Sequence, residues 1–175
     1  MYFSKFPLYV YEAYGDGQET IVTNLLKRVA LRSKGASETM LFDTYDVREG
    51  DSPESIADKL YGDPEYHWVI LMLNNITDRY HDWPLSTPQF LEYVNEKYDN
   101  PSGIHHYEIS QSSGDTTIKI DIGTDNSDYP TATPITNLEH EESEQDRKRK
   151  IRLLDDSYLE QITDEFEKLI GQSVL

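Results

Sequence analysis

Cysteine is absent from the 175 residues, so no disulfide scaffold, thiol nucleophile or cysteine-based metal site can be built. Basic residues are few: 16 lysines and arginines stand against 33 acids, a formal net charge of −17. Phosphate attraction needs a positive face, so nucleic acid is a poor partner, and an anionic membrane surface is disfavoured for the same reason. The one compact basic run, Arg147–Lys150 followed by Arg152, lies directly behind the acidic stretch Glu139–Asp146. Long apolar runs are missing too. The most apolar, Trp68–Leu73, is far too short to span a membrane, and Met1–Tyr11 lacks the basic start and apolar core of a secretory signal. A soluble protein, intracellular when made, is the expectation. Glycine-rich phosphate loops, zinc-protease signatures, nucleophile elbows and a defensible catalytic carboxylate pair are all absent, so neither an enzyme nor a cofactor is expected.

What the chain does have is tyrosine, 13 in all, a residue favoured at protein interfaces because it joins apolar area to a hydroxyl. Leu25, Leu26, Val29 and Ala30 behind Thr23 predict a short helix over Thr23–Lys34 closed by Gly35, and Thr39–Val47 alternates like a strand. Ser52-Pro53 then opens a helix carrying Ile56, Ala57 and Leu60 and ended by Gly62; Asp63-Pro64 opens a second, running to about Asn74. That second helix is apolar around its whole circumference from Trp68 to Leu73 and must be covered on more than one side. A module of ~40 residues has too little mass to do so alone. Either flanking segments or a partner protein must complete it.

A third helix is predicted from Thr87-Pro88 through Phe90, Leu91, Val94 and Tyr98, then a hairpin of Ile104–Ile109 and Thr116–Ile122. Gly123–Pro134 reads as an aperiodic loop or extended arm. Asn137–Lys150 is charged at almost every position and shows no core-facing stripe, so if helical it is solvated or bridges to a partner. Ile151–Leu154 suits a short strand. A final helix carries Leu159, Ile162, Phe166, Leu169 and Ile170 as one stripe, ended by Gly171, which must dock on the body or on another subunit.

Metal donors occur at His105, His106 and Glu108, but on a regular strand His106 and Glu108 share one face while His105 points away, so no metal site is expected. Asp121, Asp125 and Asp128 lack the closing glutamate of a calcium loop and read as solvated acids. His67 and His81, beside aromatic residues, read as packing or interface histidines.

Tyr45-Asp-Val47-Arg-Glu-Gly50-Asp51-Ser52, followed by Ile56-Ala57 and by Leu71 and Asn74, resembles the opening of a LysM module, a strand, two helices and a strand. Gly50 would allow the turn off the strand, Asp51 or Ser52 would cap the first helix, and the closing strand would fall near Asp82–Leu85. The usual closing Ile-Pro is replaced there by Asp82-Trp83-Pro84-Leu85-Ser86. Tyr61-Gly62-Asp63-Pro64, the aromatic-rich stretch Tyr66–Asn75, Trp83-Pro84 and the helix from Phe90 to Tyr98 resemble, in order, the LysM-containing baseplate wedge proteins of contractile-tailed, T4-like bacteriophages.

That resemblance implies an α+β fold: a β-α-α-β module over residues 39–86, an N-terminal arm with a short helix over 1–38, a helix plus β-hairpin over 87–122, a loop over 123–137 and a C-terminal helical extension over 138–175. It implies a structural protein of the virion tail baseplate, assembled in the host cytoplasm, tying neighbouring wedges of a sixfold ring together and to the hub. The expected interface residues are Tyr61, Tyr66, Trp68, Met72, Tyr80, Trp83, Arg147, Lys148, Arg149, Lys150 and Phe166. A rival reading is a carbohydrate module for peptidoglycan or chitin; against it stand the single module, the missing export signal and 7 acids to 2 bases over residues 51–85. Common to these expectations is an excess of apolar and aromatic surface that other subunits would complete.

Overall fold

The computed structural model describes residues 2–12, 14–15, 17–27, 29, 42–115 and 117–172. It is an α+β structure in two compact units, one made of Met1–Asp82 with Ile151–Leu175 and the other of Trp83–Lys150.

In the first unit a 3-10 turn at Tyr2–Lys5 precedes β1 (Leu8–Tyr11) and β2 (Thr20–Thr23), which form an antiparallel hairpin with Leu8 opposite Thr23 and Tyr11 opposite Thr20. The helix expected from Thr23 does not start there: Thr23 closes β2 and a turn follows at Leu25 and Leu26. Ala30 to Gly35 lie outside the described residues. The expected strand over Thr39–Val47 appears, within the described residues, as β3 (Phe42–Asp46).

Helix α1 (Pro53–Tyr61) forms as its punctuation dictates. Ser52 and Ser55 cap each other reciprocally, Ser55 N–H donating to Ser52 Oγ at 3.2 Å and Ser52 N–H to Ser55 Oγ at 2.9 Å. Gly62 ends it at φ +72°, a left-handed conformation that a side chain would strain. Of the two cap candidates, Ser52 therefore does the capping, and Asp51 does something else. Its carboxylate accepts from Tyr45 Oη on β3 at 2.7 Å, from Arg48 N–H in the turn at 3.2 Å and from Lys59 Nζ on α1 at 2.9 Å. One side chain thus ties strand, turn and helix. Burial alone would raise its pKa, but these donors outweigh burial and hold the carboxyl below its ordinary value.

Asp63 caps a 3-10 turn, Pro64–Tyr66, that leads into α2 (His67–Leu73); Asn75, at φ +54°, turns the chain away after it. Much of the circumference of α2 is covered by this chain itself, with Leu71 and Met72 left half-buried. Trp68, Val69 and Leu73 pack with Phe6 before the hairpin, with Leu154, and with Phe166 and Ile170 of the terminal helix. Flanking segments thus supply much of the cover of the apolar helix. Trp68 and Phe166 meet at 4.5 Å between ring centroids with their planes tilted by 39°, and Lys5 Nζ sits 5.6 Å over the Trp68 ring while pairing with Glu167 at 2.9 Å.

No strand forms at Asp82–Leu85: Asp82 ends the short helix α3 (Arg79–Asp82), which Arg79 joins to Glu54 of α1 through a two-pronged ion pair. The strand beside β3 is supplied from much later in the chain. After α4, β4–β6 and α5, described below, β7 (Lys150–Leu154) pairs with β3. Asn74 at the end of α2 fixes it there: its Nδ2 donates to the Arg152 carbonyl and its Oδ1 accepts the Arg152 N–H, both at 2.8 Å. Tyr61 Oη adds a bond to the Leu154 carbonyl at 3.1 Å, and burial pushes that phenol up to about 12. Asp155 then caps a 3-10 turn into α6 (Leu159–Gln172), which docks on the body through Phe166 and Ile170 and runs through Gly171 instead of stopping at it.

The second unit contains α4 (Thr87–Lys97), which buries Phe90 and Val94, and a three-stranded antiparallel sheet in the order β5 (Lys119–Asp121), β4 (Ile104–Ser110), β6 (Thr133–Thr136). The expected hairpin is β4–β5. The stretch read as a loop instead gives up its last residues, Thr133 and Pro134, to β6 on the far edge of β4. Thr136, in a reciprocal cap with Glu139, starts α5 (Asn137–Arg149). Among the described residues, no helix is long and apolar enough to cross a membrane.

Two outcomes follow. Phe166→Ala empties a packed aromatic site and should cost about 3–5 kcal/mol in urea unfolding of the isolated chain; a loss below about 1 kcal/mol would remove Phe166 from the core. Because the Asp51 carboxyl is held low in the folded state, its contribution is complete above the ordinary aspartate range and is lost as pH falls through its folded value. Asp51→Asn should therefore flatten the acid limb of the stability-versus-pH curve below about pH 4.

Candidate interaction surface

All eight residues of β1 and β2 are exposed. Cross-strand register puts Leu8, Val10 and Ile21 on one face and Tyr9, Tyr11 and Val22 on the other. Leu8 is 71% exposed, Ile21 68% and Leu26, in the turn that follows, 83%. A two-stranded ribbon that is apolar on both faces contradicts the usual economy of a soluble surface, where one face is buried or polar. Its base is nonetheless anchored: Phe6 lies in the core, and Asn24, 8% exposed, donates its N–H to the Pro7 carbonyl at 2.9 Å.

The residues expected at an interface are distributed differently. Trp68 and Phe166 lie inside the first unit, with Tyr61, Tyr66 and Met72 packed half-buried against them; Tyr61 and Tyr66 meet edge to face at 6.1 Å. Trp83, in the second unit, is 7% exposed. Only Tyr80, at 85%, stands out in solvent among these aromatics. Arg147 is exposed but paired with Glu144 one turn earlier at 2.7 Å, and Lys148–Lys150 close α5, where positive charge also complements the helix dipole. Exposed apolar side chains thus crowd on the β1–β2 hairpin, with others dispersed at Leu60, Tyr80, Leu91, Ile104 and Leu169, while Trp68 and Phe166 are enclosed. Leu8–Tyr11 and Thr20–Thr23, β-rich runs flanking Gly15 and Gly17, carry a hairpin signal that the sequence reading passed over.

Helix α5 does have an inward face, and it is polar. Glu141 and Gln145, one turn apart, are each 4% exposed. Gln145 accepts the Leu85 N–H at 2.9 Å, and Glu141 accepts from Lys97 Nζ at 2.6 Å and from Tyr98 Oη at 2.7 Å. Burial works to raise the Glu141 pKa, but these two donors outweigh it and hold the carboxyl low, so the charge is kept. An apolar-stripe search misses such a helix by construction.

Beside this pair lies a histidine cluster. The β4–β6 register shifts between Ile104 and His106, a bulge at His105 that cancels the strict alternation of the strand. His105 consequently does not point away: its Nδ1 lies 2.9 Å from His106 Nδ1, and its ring stacks on His140 of α5 at 3.8 Å with 8° between planes. Burial and the neighbouring imidazoles push the His105 pKa down, favouring its neutral ring. One nitrogen from each of the three rings falls within 4.8 Å of the other two.

A sequence profile of the family described as base plate wedge protein 53 matches residues 1–131. The chain belongs to that family. It is also similar to the baseplate wedge protein gp53 of Enterobacteria phage T4, 35% identical over 60 residues, 34% of this chain and 31% of that protein. The matched stretch spans about a third of the length of this curated relative. Membership in a baseplate wedge family accords with an apolar hairpin in solvent and gives no role to the histidine cluster, which is derived from geometry alone.

Glu141→Ala removes the acceptor shared by Lys97 and Tyr98, and chemical denaturation should register a loss of about 1–3 kcal/mol. A neutral result would mean that the buried α5 face contributes no stability.

Proposed function

We propose that this chain is a structural component of a phage tail baseplate wedge, without catalytic activity, that joins neighbouring wedge proteins and the hub. The observation that carries the reading is the β1–β2 ribbon: an anchored hairpin with Leu8, Val10 and Ile21 on one face and Tyr9, Tyr11 and Val22 on the other, all in solvent. Such a ribbon offers two apolar faces and unpaired backbone at its edges, and a partner protein can use both, by packing on a face or by adding a strand. Aromatic and aliphatic anchors of this kind supply most of the affinity in protein interfaces. Tyr80 and the Arg147–Lys150 run act at the rim, where charge sets orientation and association rate. Within this reading β3, α1 and α2, with β7 in place of the expected strand at Asp82–Leu85, form a LysM-like module used for protein attachment in place of a glycan.

Assembly of the full chain with its wedge partners, followed by sedimentation velocity, tests the proposal. A Leu8→Ser, Val10→Ser, Ile21→Ser triple variant should keep the melting temperature of the isolated chain within a few degrees and lose at least tenfold in affinity for the partner complex. Charge reversal at Arg147 and Lys150 should slow association more than it speeds release. Normal assembly by the triple variant would refute the hairpin as the attachment surface, and retention on insoluble peptidoglycan that free glycan abolishes would move the function to carbohydrate binding.

A further inference from the structure

We propose that His105, His106 and His140 form a binding site for a zinc-class divalent transition-metal ion, the three imidazoles holding it from a bulged strand and from the facing helix α5. Three observations converge. First, the bulge at His105 places two consecutive histidines on one side of β4, which a regular strand cannot do. Second, the two Nδ1 atoms lie 2.9 Å apart in a hydrogen bond, one ring's proton lying between them. A metal ion can take that proton's place with little movement, because two imidazoles on a tetrahedral zinc, at ~2.0–2.1 Å each, bring their nitrogens to roughly 3.3 Å. His140 brings a third nitrogen into a set lying within 4.8 Å of one another, and its ring must turn out of its stack on His105 to reach the ion. Third, a carboxylate stands behind a ligand: Glu108 Oε1 lies 3.3 Å from His106 Nε2, where it accepts the N–H and leaves Nδ1 as the free donor atom. That carboxylate–histidine arrangement orients ligating imidazoles and raises their basicity.

The protein around the three rings is suited to holding charge. His106 is 7% exposed, His105 and His140 are half-buried, and Glu141 beside His140 keeps its negative charge through Lys97 and Tyr98. Three protein nitrogens leave the fourth tetrahedral position for water or for a donor from outside the chain. A bound ion would cross-link strand and helix within the second unit, a structural role that stands apart from the hairpin interface and does not depend on it.

Equilibrium dialysis of the full, metal-stripped chain against Zn2+, with Co2+ absorption as a report of tetrahedral geometry, tests this. One ion per chain is expected, with micromolar or tighter affinity and the intense visible bands of tetrahedral Co2+. His140→Ala, on a helix face that is half open, should weaken binding at least tenfold, and Glu108→Gln should weaken it by about tenfold through the ligand behind which it stands. The double variant His67→Ala, His81→Ala, at histidines outside the cluster, should change nothing. No stoichiometric binding by the unaltered chain, or affinity unmoved by His140→Ala and lost in the His67→Ala, His81→Ala protein, would overturn the site.

Discussion

Helix α2 has no side that can face water, and the rest of the first unit is arranged to satisfy it. Trp68, Val69, Ile70 and Leu73 are all buried, so aliphatic and aromatic groups must approach from several directions at once. Neighbours close in sequence supply one of them. The others come from Phe6 on one side and, after an excursion through residues 83–150, from Leu154, Phe166 and Ile170. Covering a short helix with segments separated by some 80 residues makes the unit dependent on contacts of high sequence separation, whose entropy cost falls before their reward. Asn74 is the polar counterpart of this arrangement: it finishes α2 and pins β7 with the same amide.

What could be read from the chain follows this division between near and far. Gly50, Ser52-Pro53, Gly62, Asp63-Pro64 and Thr87-Pro88 act within a few residues, and the elements they start or stop stand where their chemistry puts them. The pairing partner of β3 was not legible, because nothing local distinguishes Ile151–Leu154 from any other short apolar strand. The motif at Gly50-Asp51-Ser52 was read correctly as a strand-to-helix corner, while the role of Asp51 emerged only from its partners, since Tyr45 and Lys59 approach it from two different elements.

Polar burial is the other part that sequence pattern conceals. A search for apolar periodicity assigns α5 to solvent, yet its Glu141 and Gln145 are enclosed because Lys97, Tyr98 and the Leu85 amide satisfy them. Similarly, two-residue alternation turned His105 away from His106. One extra residue in the ladder reverses that conclusion, and β-bulges leave no signal in composition. The histidine cluster is thus visible only when strand, bulge and helix are seen together.

The aromatic and apolar side chains of the first unit resolve into two populations with different physics. The rings of Trp68 and Phe166 touch one another and are sealed, so their energy is already committed to holding the chain in one shape. Leu8, Val10 and Ile21 are set on a ribbon too thin to hide them, since two strands have no interior. A larger core would not remove that exposure; only a third layer would, and the ribbon presents its faces to whatever supplies it. The enclosed aromatics therefore fix the body of the first unit, and the ribbon carries its exposed apolar side chains on a base held by Phe6 and Asn24.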